Sequence, residues 1–255
     1  MKHQIALIGV GEMGGVFARG FLRSGYTVKP ITRQQPIPES LAEIDPMNPL
    51  LVAVAEKDLH PVLEQIPENH KTSLILLQNE LLPADWLQHG IQEPTVISVW
   101  FEKKKGREAK VIVPSPVFGK HARHVMDALS HLDIPVRILN NNDELLYELV
   151  LKNLYIITTN VAGLKVGGTV GELWEKHEIL ARNVASDVLD IQEWLTGEKF
   201  DRENLVMDMR KCFEGDLAHQ CMGRSAPARL QRALEQAEKA KLDVDQLKQI
   251  AETLD

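Results

Sequence analysis

The feature that most constrains this chain lies near its start, where Gly9-Val10-Gly11-Glu12-Met13-Gly14 separates an apolar run from a helical one. Gln4 to Ile8 are mostly apolar and branched, as a parallel strand buried on both faces requires. From Gly14 to Ser24 the residues Val16, Phe17, Ala18, Phe21 and Leu22 recur at helical spacing. Gly25 stands where a glycine ends a helix, and Tyr26 to Thr32 resumes a strand pattern. Strand, glycine turn, helix and strand make a βαβ unit with a right-handed crossover. In that unit the G-x-G-x-x-G spacing has a mechanical meaning. Gly9 permits the tight turn, Gly11 lets a pyrophosphate approach the backbone, and Gly14 lets the helix lie against the strand. The free N–H groups and the positive end of the helix dipole then face the phosphates. Gly9, Val10, Gly11, Glu12, Met13 and Gly14 are therefore expected to form the cofactor-binding turn of a dinucleotide site, against the alternative of a glycine-rich turn that holds nothing.

The end of the second strand selects the nucleotide. A site for NAD ends this strand in Asp or Glu, which binds the ribose 2′-hydroxyl, whereas this chain reads Ile31-Thr32-Arg33. The planar, permanently charged fork of Arg33 suits a 2′-phosphate, so NADP(H) is the expected cofactor. A solvated surface arginine is the competing reading, and Lys29 is expected to face solvent.

Apolar runs at Leu50–Ala55, Ser73–Leu77 and Thr95–Trp100 extend a parallel sheet, with Lys110–Pro114 and Val136–Leu139 as its last strands. After Asn140-Asn141-Asn142 the pattern turns helical, over Asp143–Leu164, Val170–Leu195 and most of Asp201–Leu254. One amphipathic helix is expected from Leu230 to Leu254. The expected fold is α/β: an N-terminal Rossmann-type parallel-sheet domain over residues 1–142 and an all-α C-terminal domain over 143–255 for substrate and dimerisation. A hydrophobic fraction of 44% and a net charge of −7 fit a folded chain without a nucleic-acid or membrane surface. Two cysteines without metal-ligand spacing point to no metal site and to a reducing, cytoplasmic setting. The apolar start reads as a strand and not a signal peptide, and no run is long enough to span a membrane.

Four further places carry candidate chemistry. Asn79, in Leu77-Gln78-Asn79-Glu80, ends a strand where open α/β sheets bind ligands, although Asn is also a common turn residue. Lys152 interrupts the apolar stretch Leu149–Asn160, with Ile156 and Asn160 on the same helical face. Such a lysine either snorkels to solvent or, held in a cleft, donates a proton to a carbonyl. Glu214, Asp216, His219, Arg224 and Ser225 cluster late in the chain. Ser225 before Ala226-Pro227 also reads as a helix N-cap. His60, His89, His121 and His124 are expected to face solvent, the four tryptophans to pack, and neither cysteine to act as a nucleophile.

Together these residues resemble the ketopantoate reductases (2-dehydropantoate 2-reductases), a family joining an NADP-binding Rossmann domain to a helical domain. The resemblance rests on Gly9–Gly14, Arg33, Asn79 in LLQN, Lys152 with Asn160 eight positions on, and Gly171-Glu172-Leu173. It implies that Lys152 is catalytic with Asp216 as the nearest match for the family's acid, that Asn79 and Asn160 bind substrate, and that Asn79 also touches the cofactor; Ser225, from its place in the late cluster, is a further candidate for substrate binding. The chain departs from the pattern in four ways, one being that the family's C-terminal serine and glutamate have no certain counterparts here. Ile156 replaces an asparagine that would bind a substrate hydroxyl, Asn79-Glu80 replaces an asparagine-glycine turn, and the helical domain is short. The expected activity is NADPH-dependent reduction of a small 2-oxo acid to the 2-hydroxy acid, with a homodimer as the expected assembly. The alternatives are an oxidoreductase similar to β-hydroxyacid dehydrogenases, whose glycine turn also reads GxGxMG, and a non-catalytic NADPH-binding sensor.

Overall fold

A computed structural model describes residues 4–254; residues 1–3 and 255, the outer ends of the two expected domains, lie outside the described residues. The chain divides into two compact units, one up to Leu149 and one from Val150.

In the first unit the order is β1 (Gln4–Ile8), α1 (Glu12–Arg23), β2 (Thr27–Ile31), α2 (Ile37–Ala42), β3 (Leu50–Val52), α3 (Leu59–Leu63), β4 (Leu74–Leu76), α4 (Pro83–Leu87), β5 (Thr95–Ile97), β6 (Phe101–Glu102), β7 (Lys110–Val111), β8 (Ser115–Phe118), α5 (Ala122–Ser130) and β9 (Val136–Ile138). Seven strands form one sheet in the order β2-β1-β3-β4-β5-β8-β9, and β6 with β7 forms a separate two-stranded ribbon. The chain leaves β1 for β2 on one side and returns to β3 on the other, so the topological switch lies at the carboxyl ends of β1 and β3. Every residue of β1 from Ile5 to Ile8 is buried, which explains its unbroken apolar run. The edge strand β2 carries Pro30, whose missing N–H blunts an open edge.

Helix α1 ends as its sequence indicates. Gly25 takes φ +85°, its N–H reaches Leu22 O and the Tyr26 N–H reaches Phe21 O at 2.9 Å. The Tyr26 and Phe21 rings meet edge to face with centroids 5.3 Å apart, which seals the turn. Phe17 and Phe21 are fully buried in the core with Val125, Ala128 and Leu129 of α5. Each such side chain contributes about 1.5–3 kcal/mol by leaving water.

Two expectations for this unit are corrected. Lys110–Pro114 does not extend the sheet: Lys110 and Val111 pair with Glu102 and Phe101 in the ribbon. The strand that joins the sheet is β8, antiparallel to β5 and parallel to β9. Pro116 hides β8 in the sequence, because a proline argues against a central strand. It is accommodated here because its carbonyl accepts from Ser98 N–H at 2.9 Å, one residue past the end of β5, where no return bond is needed. His121 is buried and not solvent-facing: its N–H donates to Thr95 Oγ1 at 2.8 Å, and burial lowers its pKa to about 4.

Helix α6 (Asn142–Val166) carries the division between the units. Then follow α7 (Val170–Thr196), α8 (Arg202–Glu214), α9 (Ala226–Ala240) and α10 (Asp245–Glu252). Helix α7 packs against α8, α9 and α10 through buried Val184, Ala185 and Val188. It begins with a reciprocal cap, Glu172 N–H to Thr169 Oγ1 at 3.2 Å and Thr169 N–H to Glu172 Oε2 at 3.1 Å. Glu193, buried on α7, is held by Arg202 and Lys199, and these cations lower its pKa to about 2. The single helix expected over Leu230–Leu254 is two helices. Lys241 takes φ +56° and Leu242 N–H bonds Ala237 O, a left-handed stop made without glycine or proline and therefore without a signal in the sequence. Trp194, expected to pack, is exposed. No helix among the described residues is long and apolar enough to cross a membrane.

Gly20 of α1 faces α5 so closely that a Cβ there would lie 2.5 Å from Ala128 O. On an exposed helix Gly→Ala stabilises by up to about 1 kcal/mol. Here the steric term dominates, so Gly20→Ala is expected to destabilise by about 1–3 kcal/mol, read as a lower Tm in thermal denaturation.

Candidate functional site

The turn after β1 is shaped by exclusion. Gly9 takes φ +90°, donates its N–H to Ile31 O at 3.1 Å, and has no room for a Cβ, which would stand 2.6 Å from Ala53 O. At Gly14 a Cβ would stand 2.0 Å from Gly9 O, so α1 rests directly on the turn. Gly11, at the N-cap of α1, differs: a Cβ there would meet nothing within 4 Å. Two of the three glycines are required by the chain itself. The third faces open space.

That space is a cavity of about 910 Å³ at the switch point, walled by Gly9, Val10 and Gly11, by Thr32 to Gln35, and by Ala53 to Ala55 with Asp58, Pro61 and Val62. Arg33 lies in its wall with a highly exposed side chain, and its Nη2 meets Asp58 Oδ2 at 3.1 Å. Glu12 turns to Lys103 at 3.4 Å, and Met13 packs on the core, so both stand apart from the walls with Gly14. Asn79 is half-buried in the turn after β4 and also stands outside the walls. Its neighbour Gln78 ties the sheet edge, donating Nε2–H to Val52 O at 2.8 Å and accepting Leu77 N–H at 3.1 Å. Lys29 pairs with Glu43 at 2.6 Å.

In the second unit Lys152 is only 8% exposed, inside the run Leu149 to Ile157 that is buried throughout. It does not snorkel. Its Nζ lies 5.8 Å from the centre of the Tyr155 ring, within cation–π range. The Tyr155 ring packs on Phe213 at 5.4 Å and on His219 at 6.3 Å, and His219 Nδ1 lies 3.9 Å from Asp216 Oδ2. Lys152, Tyr155, His219 and Asp216 thus follow one another through adjoining contacts. The loop carrying Asp216 and His219 is held in place by backbone: Val170 N–H to His219 O at 2.9 Å, Gly171 N–H to Leu217 O at 3.1 Å and Cys221 N–H to Gly168 O at 3.0 Å. Gly171-Glu172-Leu173, read in the sequence as a family mark, serves here to cap α7 and anchor that loop.

Asn160 is engaged at both ends of its amide. Its Nδ2–H donates to Cys221 O at 2.9 Å, and its Oδ1 accepts from Arg229 Nη1 at 2.8 Å. Ile156 is buried, one turn beyond Lys152. Ser225 stands exposed at the N-cap position of α9, but its hydroxyl makes no cap hydrogen bond. Tyr155 was not singled out by sequence; its signal was an aromatic three residues from the buried lysine. Among the described residues no group of His, Cys, Asp and Glu could hold a metal ion.

An open, mostly parallel sheet with a glycine turn at its switch point is the dinucleotide-binding architecture. Neither a protein-family model nor a curated protein matches the sequence. Solved structures do. The chain superposes on the 2-dehydropantoate 2-reductase of Methylococcus capsulatus with TM-score 0.70 at 11% identity, covering 98% of this chain and 95% of that one. It matches a D-mandelate dehydrogenase solved with NADH at TM-score 0.67 and 12% identity, over 98% and 96%. The dimeric ketopantoate reductase of Staphylococcus aureus follows at TM-score 0.60 and 18% identity, over 98% and 97%. This chain has the ketopantoate reductase fold.

Both cysteines, Cys212 and Cys221, are buried and neither is in a disulfide. Burial pushes the Cys221 thiol up to about 11, so little thiolate exists at neutral pH. Iodoacetamide at pH 8 is expected to leave Cys221 of the native protein unmodified and to alkylate it after unfolding; mass spectrometry of tryptic peptides reads the difference.

Proposed function

We propose that this chain is an NADPH-dependent reductase of a small 2-oxo acid, with Lys152 as the general acid. The observation that carries the reading is Lys152 itself. A lysine almost wholly buried on an apolar helix, with its Nζ set over the face of Tyr155, is placed as a group with a chemical task and not as a solvent-facing cation.

The residues around the switch point fit a dinucleotide. Gly11 leaves room for a pyrophosphate at the N-terminus of α1, and the cavity has the size of a cofactor site. When bound, the nicotinamide would supply a hydride to the carbonyl carbon. Lys152 would hold a proton on Nζ for the carbonyl oxygen as it becomes an alkoxide. The Tyr155 face would steady the ammonium, and His219, which packs on that ring, is in turn met by Asp216. Ile156 offers only hydrocarbon one turn from Lys152. This supports a 2-oxo acid with an apolar side chain over one bearing a hydroxyl, because a buried hydroxyl without a partner costs about 1–3 kcal/mol. The D-mandelate dehydrogenase of the same fold lends support to that substrate class. The dimeric Staphylococcus aureus enzyme supports a homodimer.

Arg33 supports NADPH over NADH. Its pair with Asp58 is a surface one, worth about 0–1 kcal/mol, so a 2′-phosphate displaces the carboxylate at small cost. A second reading, an NADPH-binding sensor without turnover, is favoured by Asn160, whose amide is already committed to Arg229 and the Cys221 carbonyl.

Lys152→Ala is expected to lower kcat by about 10²–10⁴-fold on a panel of 2-oxo acids, followed by loss of nicotinamide absorbance, while NADPH binding is retained. Full turnover by that variant removes Lys152 from the reaction, and no turnover by the parent protein on any acid supports the sensor. Arg33→Ser is expected to weaken NADPH binding by about 10–100-fold and to leave NADH binding unchanged in calorimetric titration, since a charge-assisted contact is worth about 1.5–3 kcal/mol. Equal affinity of the parent protein for both nucleotides overturns the role of Arg33.

A further inference from the structure

The first unit holds a second cavity, of about 680 Å³, at the other edge of the sheet. In its wall Thr72 lies two residues before β4 and Pro94 immediately precedes β5, so it sits at the amino ends of those strands. Phe118 and Ile138 reach it from the carboxyl ends of β8 and β9, which run the opposite way. The glycine turn and Arg33 lie at the carboxyl ends of β1 and β2. The two cavities therefore share no residue and open on opposite edges.

Its chemistry is two-sided. Trp86, Phe118, Leu139 and Leu145 give an apolar wall, and Ile138, a large apolar side chain left 37% exposed, continues it to the mouth. Lys71 is already matched by Glu68 at 2.7 Å. Lys120 has no ion pair among the described residues, and it is placed by a turn that only glycine can make: Gly119 takes φ +116°, and a Cβ there would lie 2.7 Å from Thr95 Cα. His121 N–H bonded to Thr95 Oγ1 fixes the next residue. The turn that delivers Lys120 is thus rigid by construction. Glu93 lies in the same wall, so a dianion is disfavoured and a single negative charge close to Lys120 fits best.

We propose that this cavity binds a small amphipathic monoanion, its aromatic or branched apolar body against Trp86, Phe118 and Ile138 and its carboxylate or sulfonate on Lys120. A cavity of this volume, mostly apolar with a few placed polar and charged groups, is what small-molecule sites have in common. The site is separate from the nucleotide cavity and does not depend on the reductase reading.

The probe is 8-anilinonaphthalene-1-sulfonate, an aromatic monoanion whose fluorescence rises on leaving water, titrated into the full-length protein held saturated with NADPH. One molecule is expected to bind per chain, with Kd raised at least tenfold by Lys120→Glu and by Ile138→Asp, and unchanged by Lys57→Glu, an exposed lysine outside the cavity. Both cavity positions are exposed enough for the variants to fold, which circular dichroism verifies. Displacement of the probe by NADPH, no saturable binding, or equal Kd in parent and both cavity variants overturns the proposal. Loss of turnover on 2-oxo acids leaves these titrations untouched, so the two readings fail independently.

Discussion

The contact between the Gly9 carbonyl and Gly14 is the constraint on which the first unit depends. It lets α1 start directly on the turn, and α1 then carries Phe17 and Phe21 onto α5 while its N-terminus faces the switch point. Moving α1 outward by the width of a methyl group would open the core on one side and withdraw the helix end from the cavity on the other. Packing and binding geometry are set by one approach distance, which is why glycine is needed where no side-chain chemistry is done. Gly11, free of any such contact, carries the part of the motif that the fold does not require.

The second unit solves a different problem, a charged group inside a helix bundle. Lys152 is surrounded by apolar side chains on its own helix, with the face of Tyr155 beside it. Phe213 and His219 in turn fix the Tyr155 ring, and the Asp216–Cys221 loop is fastened to the start of α7 by backbone hydrogen bonds. Order is thus relayed from the cap of α7 to the loop, to the ring and to the ammonium. Asn160 belongs to the same fastening, since it holds the Cys221 carbonyl while being held by Arg229. A residue read in the sequence as a contact for substrate is, in this arrangement, part of the frame that positions the loop.

Electrostatics separates the two cavities as clearly as position does. The cavity at the switch point has Arg33 at its rim in a weak surface pair, the arrangement proposed to exchange for an incoming phosphate. The other cavity has Lys71 already matched by Glu68, leaving Lys120 as the cation it offers, with Glu93 in the same wall. In both, the cation is delivered by the residues that end a strand, where the backbone is rigid and the side chain is not.

The sequence alone determined the βαβ unit, the stop at Gly25, the change from mixed to helical pattern, and Lys152 as an anomaly, because each rests on local periodicity or on a residue type whose cost is local. It did not determine β8, since a proline in a central strand is acceptable only where the neighbouring strand has already ended, which is a fact about β5. Nor did it show the break at Lys241, the burial of His121, or the commitment of Asn160. The last two depend on residues distant in sequence meeting in space: Thr95 with His121, Arg229 and Cys221 with Asn160. Tertiary structure alone decided which polar groups were left with chemistry to do, because a side chain's availability depends on what packs against it and not on its neighbours along the chain.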